Sequence, residues 1–444
     1  MTTTPFPRPR TRAELLRYGP NLAEAALRVQ AEEVTAKLGD QRDQWRKGFT
    51  RRRVIASTGA IGAAALSTQL VTTKVAFGDP DTTRRTLVVV YFRGGQDGLS
   101  VVVPAGDPNL LKARPTIAVP AAALLPVNNG FGLHPALAPL LPFWTAGQAA
   151  AVVAVSSPDL SRSHFDAQDC MERGAPSKTV ATGYLNRVLT QMGQGTTFRA
   201  IAEGTEMPRS LVGEQDKIVM NGVGSFRLSG TNAATMQALA ALYTGIDHPV
   251  AAQATVTLQA LNAAQKIASG AQTTVPYPGG GFGSALRDVA RLIKAQVGIR
   301  VATVDLGGWD THSAQGKVDN GQIKDHLTEV AAGLAAFATD LGPALADVNV
   351  ATVTEFGRRL IENGNGGTDH GHGGVMLLLG GGLNGGQVHG RWPGLDPSAL
   401  NQGDVAGVND YRNVMGELLA TRFGIGNLGE IFPGFQYQRL GIVK

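Results

Sequence analysis

The sequence predicts an α/β fold, a three-layer α/β/α sandwich built on a mostly parallel sheet. Three observations carry that reading. Apolar runs rich in Val, Ala and Leu recur at 86–92, 149–155, 300–304, 348–353 and 375–379. Helical apolar spacing fills several of the intervals between them, and strands that alternate with helices pair in parallel. Polar residues able to do chemistry follow the runs, and open α/β sheets gather ligands beyond the carboxyl ends of their strands.

The first run, Thr86-Leu87-Val88-Val89-Val90-Tyr91-Phe92, is continuous rather than alternating, as expected of a strand buried on both faces. Asp97 follows it through Arg93-Gly94-Gly95. Ser161 to Asp166 follow the second run, Asp310 and His312 the third, and Glu355 the fourth. His389 follows the fifth after a Gly-rich bend. Helices are predicted at 282–297, at 323–341 (Leu327, Val330, Leu334, Phe337 and Leu341 at helical spacing) and at 409–423. Residues 175–280 are rich in Ala, Gly and Thr, with 231–271 reading as helical, and are expected to be a helical insertion or cap.

The chain of 444 residues has room for one large domain or two ordinary ones. Its net charge is +5, the basic residues are concentrated at the N-terminus, and no basic, aromatic-rich stripe occurs elsewhere. Nucleic acid is therefore not an expected partner. The single cysteine, Cys170, excludes an intramolecular disulfide and reads as a small buried helix residue.

Thr50-Arg51-Arg52-Arg53-Val54-Ile55 precedes a mild Ala- and Gly-rich apolar run at 60–70, the pattern of a twin-arginine export signal. That run is too short, and its side chains too small, for a permanent membrane span. Ala76-Phe77-Gly78 offers small residues for cleavage. Residues 1–78 are thus expected to be an N-terminal extension and signal, and 79–444 the functional domain. The twin-arginine translocase would be the export partner, and the destination periplasmic, cell-surface or extracellular. The route carries folded proteins and suits one that loads its metal before export. Residues 14–38 have helical spacing with no functional reading.

The chain has eight His, and four fall in Gly307-Gly308-Trp309-Asp310-Thr311-His312, in Gly367-Thr368-Asp369-His370-Gly371-His372-Gly373 and at His389. Each lies near a carboxylate or a Gly-rich bend. Carboxylate and neutral imidazole are the usual ligands of zinc and manganese, so the clustering reads as a metal centre of one or two divalent ions. Ser161 and Ser163 open a helix after a strand, where backbone N–H groups favour an anion, and are the candidate nucleophiles. Arg162 could bind non-bridging oxygens as a fork. Ser163 reads equally as a helix N-cap. Gly380-Gly381-Gly382-Leu383-Asn384-Gly385 matches a dinucleotide fingerprint in form, but no helix start follows it, and that reading is rejected.

Several segments together resemble a family known as domain of unknown function 1501. They are Phe92-Arg93-Gly94-Gly95-Gln96-Asp97-Gly98, Leu133-His134-Pro135-Ala136-Leu137, Ser161-Arg162-Ser163-His164-Phe165-Asp166, Gly308-Trp309-Asp310-Thr311-His312, Thr354-Glu355-Phe356-Gly357-Arg358 and Thr368-Asp369-His370-Gly371. Members of that family look like part of the alkaline-phosphatase-like superfamily, in which two metal ions flank a Ser or Thr nucleophile. The resemblance implies Asp97, Asp310, His312, Asp369, His370 and His389 as metal ligands. His164, Asp166 and Glu355 are neighbours of the site or alternative ligands. Two features depart from the superfamily pattern. Asp310 and His312 are two residues apart rather than four, and Glu355 occupies the place directly after a strand where the Asp-His pair belongs. The function implied is an exported metal-dependent hydrolase of phosphate esters or diesters, using a Ser nucleophile on a small anionic substrate. A non-catalytic exported binding protein is the alternative. A sulfatase-like hydrolase fits less well, because Ser156-Ser157-Pro158-Asp159-Leu160 lacks the Arg typical of that class.

Overall fold

The computed structural model of the chain describes residues 85–176, 180–225, 240–243, 249–270 and 272–444. The segment read as an export signal lies outside the described residues. Among those described, no helix is long and apolar enough to cross a membrane. The chain divides into two compact units, 1–75 with 227–266 and 76–226 with 267–444. The second holds the sheet and every candidate site residue.

In chain order the strands are β1 (Thr86–Phe92), β2 (Val102–Pro104), β3 (Leu125–Pro126), β4 (Phe131–Leu133), β5 (Ala149–Ser156), β6 (Ala200–Glu203), β7 (Ile218–Met220), β8 (Val301–Leu306), β9 (Val348–Val353), β10 (Gly374–Gly380), β11 (Val388–His389) and β12 (Asn409–Asp410). The longer helices are α1 (His164–Arg173), α2 (Tyr184–Gln191), α3 (Pro249–Ser269), α4 (Gly281–Lys294), α5 (Gln322–Leu341) and α6 (Tyr411–Phe423). Strands β2, β4 and β3 form a small antiparallel sheet. The other nine form one sheet in the order β11-β5-β10-β9-β1-β8-β6-β7, with β12 also beside β5. Its pairings are parallel except the two made by β10, with β5 and with β9. This is a mixed α/β fold on a large, mostly parallel sheet.

The five expected strands are β1, β5, β8, β9 and β10, each within two residues of its apolar run. Two further strands, β6 and β7, come from the stretch expected to be a helical insertion and extend the sheet in parallel from β8. At four and three residues they are too short for periodicity to reveal. Pairing with an existing sheet edge, not local pattern, makes them strands.

Every residue of β1 is buried, and each Leu or Val so placed contributes about 1.5–3 kcal/mol. Leu87, Val89 and Tyr91 share one cluster with Met171 of α1, Leu185 and Val188 of α2, and Val414 and Leu418 of α6. Val350, Leu377 and Leu379 instead line a small apolar gap with Leu137, Trp144 and Leu334 of α5. Cys170 is buried on α1, and burial pushes its thiol up to about 12, so it is an inert packing residue.

Glu203, at the end of β6, is buried. Its Oε2 accepts the Gly222 N–H at 3.1 Å, while Oε1 has no hydrogen-bond partner among the described residues. Burial pushes the carboxyl up to about 8, with Asp288 adding to the rise and the Gly222 amide opposing it. The folded value thus exceeds the unfolded one of about 4.3. The folded state then binds more protons between the two values, so stability falls as pH rises from about 4 through about 8. Glu203→Gln is expected to raise Tm by about 2 °C or more at pH 8.5, with the gain vanishing near pH 4. Thermal unfolding at the two pH values checks this.

Candidate metal centre

The direction of β10 decides which residues meet. Because β10 runs antiparallel, its amino end, not its carboxyl end, lies at the edge where β1, β5, β8 and β9 finish. Residues 368–373 therefore enter the site before the strand begins. Gly357 to Arg359, just after β9, pair with Asp369 to His372: Gly357 N donates to His372 O at 2.9 Å, Gly371 N to Gly357 O at 2.8 Å and Arg359 N to Asp369 O at 2.9 Å. A Cβ on Gly371 would stand 2.3 Å from the Arg358 carbonyl carbon, so this close pairing requires glycine.

The loop after β8 is tied in on both sides. Thr368 N donates to Thr311 O at 3.0 Å, and Trp309 N to Arg93 O at 3.2 Å. Trp309 is fully buried, with its ring centroid 4.7 Å from Phe92 and 5.1 Å from His326. Gly94 has φ +124°, and a Cβ there would lie 2.4 Å from Asp310 N. The anchored Trp and the missing Cβ together place Asp310.

Three imidazoles surround that carboxylate. His312 Nε2 and His370 Nε2 each lie 3.1 Å from Asp310 Oδ1, and 2.9 Å from each other. His164 Nε2 lies 3.5 Å from Asp310 Oδ2. The ring centroid of His370 is 4.4 Å from that of His164 and 4.7 Å from that of His312. Each imidazole is held from behind. His164 Nδ1 donates to Glu355 Oε1 at 2.8 Å, His312 Nδ1 to Asp369 Oδ1 at 3.0 Å, and His370 Nδ1 to the Arg162 carbonyl at 2.8 Å. An ionised carboxylate and a carbonyl only accept, so these partners take the Nδ1 proton, and a neutral imidazole then keeps its lone pair on Nε2. The bond to Glu355 raises the His164 pKa above its ordinary value.

That arrangement fits a cation. The Nε2 lone pairs of His312 and His370 face each other at hydrogen-bond distance, and both face a carboxylate. Without an added proton or a positive ion among them, none of these atoms can donate. Burial holds the His370 imidazole below its ordinary pKa, which disfavours the extra proton there. The three atoms form a triangle with edges of 2.9, 3.1 and 3.1 Å. Tetrahedral ligands of zinc are spaced about 3.3 Å apart, given bonds of about 2.0–2.1 Å, so a shift of a few tenths of an ångström admits the ion. Nδ1 partners of this kind are what orient metal-binding histidines in general.

Charge around the centre is balanced by buried groups. Burial would raise the Asp310 carboxyl, but the Arg358 guanidinium beside it, with His370 and His312, holds it below its usual value. Arg358 is buried and donates to Asp310 Oδ1 at 2.6 Å, to Gly95 O at 2.6 Å, to Thr368 O at 2.8 Å, to Trp309 O at 3.0 Å and to Gly94 O. It thereby joins the loops after β1 and β8 to the loop before β10. Glu355 Oε1 accepts from Gly94 N, Gln168 Nε2 and His164, and these bonds outweigh burial to keep its pKa low.

Of the expected ligands, the structure brings Asp310, His312 and His370 together and adds His164. Glu355 and Asp369 stand behind imidazoles as orienting partners. Asp97 is not with them. It is buried in a two-bond pair with Arg114, at 2.6 and 2.9 Å, and also accepts from Ser100 and Gln315. Nor is His389, which pairs with Val152 in the middle of β5 and bonds the Asn384 carbonyl at 2.7 Å. Val152 lies four residues before the end of β5, about 13 Å along the strand. The placement after the fifth apolar run misled because that run is the one antiparallel strand.

Ser163 is the N-cap of α1, its Oγ accepting from Asp166 N at 3.5 Å. Ser161 Oγ, on the exposed loop before it, donates to Asp159 Oδ1 at 2.6 Å. The Arg162 backbone is left-handed (φ 56°), and its guanidinium pairs with buried Asp404. Sequence reasoning offered Arg358 only as a wall residue beside Glu355 and passed over Asn363, whose amide donates to Asp369 Oδ1 at 3.0 Å and to the His312 carbonyl at 2.8 Å. Its signal was weak: one Asn in a run of Gly and Asn.

The chain belongs to the family described as Protein of unknown function (DUF1501), whose family model matches residues 84–410. The match contains every residue of the centre. No curated protein matches the chain.

Proposed function

We propose that the chain is a metal-dependent hydrolase of phosphate esters or diesters on an alkaline-phosphatase-like three-layer scaffold, exported through the twin-arginine route read at Arg51 to Arg53. One observation supports this above the rest: three imidazoles, each with its Nδ1 proton engaged, turn Nε2 toward one carboxylate. His312, His370 and Asp310 would hold one divalent ion, zinc or manganese, with His164 as the fourth group. One ion is the count that fits, because Asp97 is taken by Arg114 while Asp369 and Glu355 serve the imidazoles. A bound ion of this kind supplies Lewis-acid polarisation of a phosphoryl oxygen.

The chain's own residues do the rest. Ser161 is the proposed nucleophile, with the Asp159 carboxylate accepting its hydroxyl hydrogen at 2.6 Å. The Arg162 carbonyl fixes His370 through Nδ1, while its guanidinium pairs with Asp404.

Metal analysis of the purified protein is expected to find about one ion per chain. Aryl phosphate and phosphodiester turnover should be lost on chelation and restored by metal. An intact fold without zinc, manganese, calcium or iron would sink the reading. Ser161→Ala is expected to abolish turnover with metal content unchanged, and retained turnover removes that serine from the reaction.

A further inference from the structure

Among the described residues, three large apolar side chains are more than half exposed: Phe165 at 89%, Leu160 at 69% and Ile361 at 60%. All three belong to the loops and helix start that carry the candidate centre. Leu160 directly precedes Ser161, and Phe165 directly follows His164. Ile361 lies two residues before Asn363, the residue that holds Asp369 and the His312 carbonyl. Side chains this exposed contribute almost nothing to the core. Scattered single apolar residues need no explanation, but the three most exposed ones gathered on the site-bearing segments do.

We infer that the substrate is amphiphilic, an anionic phosphate head at the histidine–aspartate cluster joined to an alkyl or aryl group that lies against Leu160 and Phe165. The inference rests on the phosphate-ester reading above and names its substrate class. The chemistry follows from the order along the chain. Leu160 and Phe165 bracket both the proposed nucleophile and the His164 imidazole. A group esterified to a phosphoryl centre at the cluster would have that exposed segment within reach, and apolar contact is the only interaction these two side chains offer. A small hydrophilic ester would leave both in water.

Titration calorimetry with ethyl phosphate, dodecyl phosphate below its micelle concentration, and dodecanol tests this on the metal-loaded protein. Both side chains are exposed, so the double variant Leu160→Ser with Phe165→Ser is expected to fold. Dodecyl phosphate is expected to bind at least about tenfold tighter than ethyl phosphate, the gain from contact with roughly two methylenes. In the double variant that preference should fall below about threefold, with ethyl phosphate affinity unchanged. Equal binding of the two phosphates overturns the apolar contact while leaving the hydrolase reading standing. Binding of neither phosphate overturns both. Dodecanol binding as tightly as dodecyl phosphate separates the apolar surface from the anion site and overturns the inference. So does a preference that survives in the double variant. Loss of binding to phosphatidylcholine vesicles in the variant, with no preference among soluble phosphates, would make the two residues a membrane contact instead.

Discussion

Replacing His370 by Ala is expected to abolish binding of the proposed ion, whereas Asp369→Asn is expected to weaken it by only about 10–100-fold. The two residues are adjacent in sequence and read alike there, as a paired ligand motif. In the structure they do different work. His370 turns Nε2 to the shared point, 3.1 Å from Asp310 and 2.9 Å from His312. Asp369 sits on the far side of His312, bonding its Nδ1 at 3.0 Å and leaving Nε2 to face the centre. Loss of a ligand removes a bond to the ion, while loss of an orienting carboxylate loosens one imidazole. Competition with a zinc-binding dye separates the two. Equal loss in both variants, or none in His370→Ala, would overturn the assignment of roles.

Asp97→Ala is expected to destabilise the fold by about 3–5 kcal/mol while leaving the metal in place. The carboxylate and the Arg114 guanidinium are each 1% exposed and make two hydrogen bonds to each other. Removing the acid leaves a buried cation with no counter-charge and strands the Ser100 hydroxyl donor, while Gln315 Nε2 keeps only Ser100 Oγ at 3.2 Å. Burial alone would raise the Asp97 carboxyl, and Arg114 more than reverses it. A double variant, Asp97→Ala with Arg114→Met, should recover part of the loss, since deleting both charges costs less than orphaning one. Urea unfolding reads the stability, and metal analysis of the folded single variant reads the site. Metal lost with stability unchanged would restore Asp97 as a ligand.

The local pattern was enough for β1, β5, β8, β9 and β10, and for placing Asp310 and His312 together on one short turn at a strand end. Glu355 was legible as a residue near the site, because a strand end places whatever follows it. His164 was legible as a neighbour of the site or an alternative ligand, but nothing in its surroundings pointed to the Glu355 oxygen that orients it. Arg358 was invisible in its role, since its partners come from 94–95, 309–310 and 368. Asp97 was misread for a related reason. An acid after a strand looks the same whether a metal or an arginine answers it, and Arg114 lies 17 residues further on.

By itself, then, the sequence determined the α/β class, its main strands and the concentration of acid and imidazole groups near their ends. Side-chain periodicity and turn chemistry are local properties and can be read one segment at a time. Only the tertiary structure decided which of those groups meet. The direction of β10 is set by its pairing with β5 and β9, and that one reversal brings His370 into the centre and leaves His389 in the body of the sheet. Pairing joins residues far apart in the chain, and no single segment carries a record of its partner.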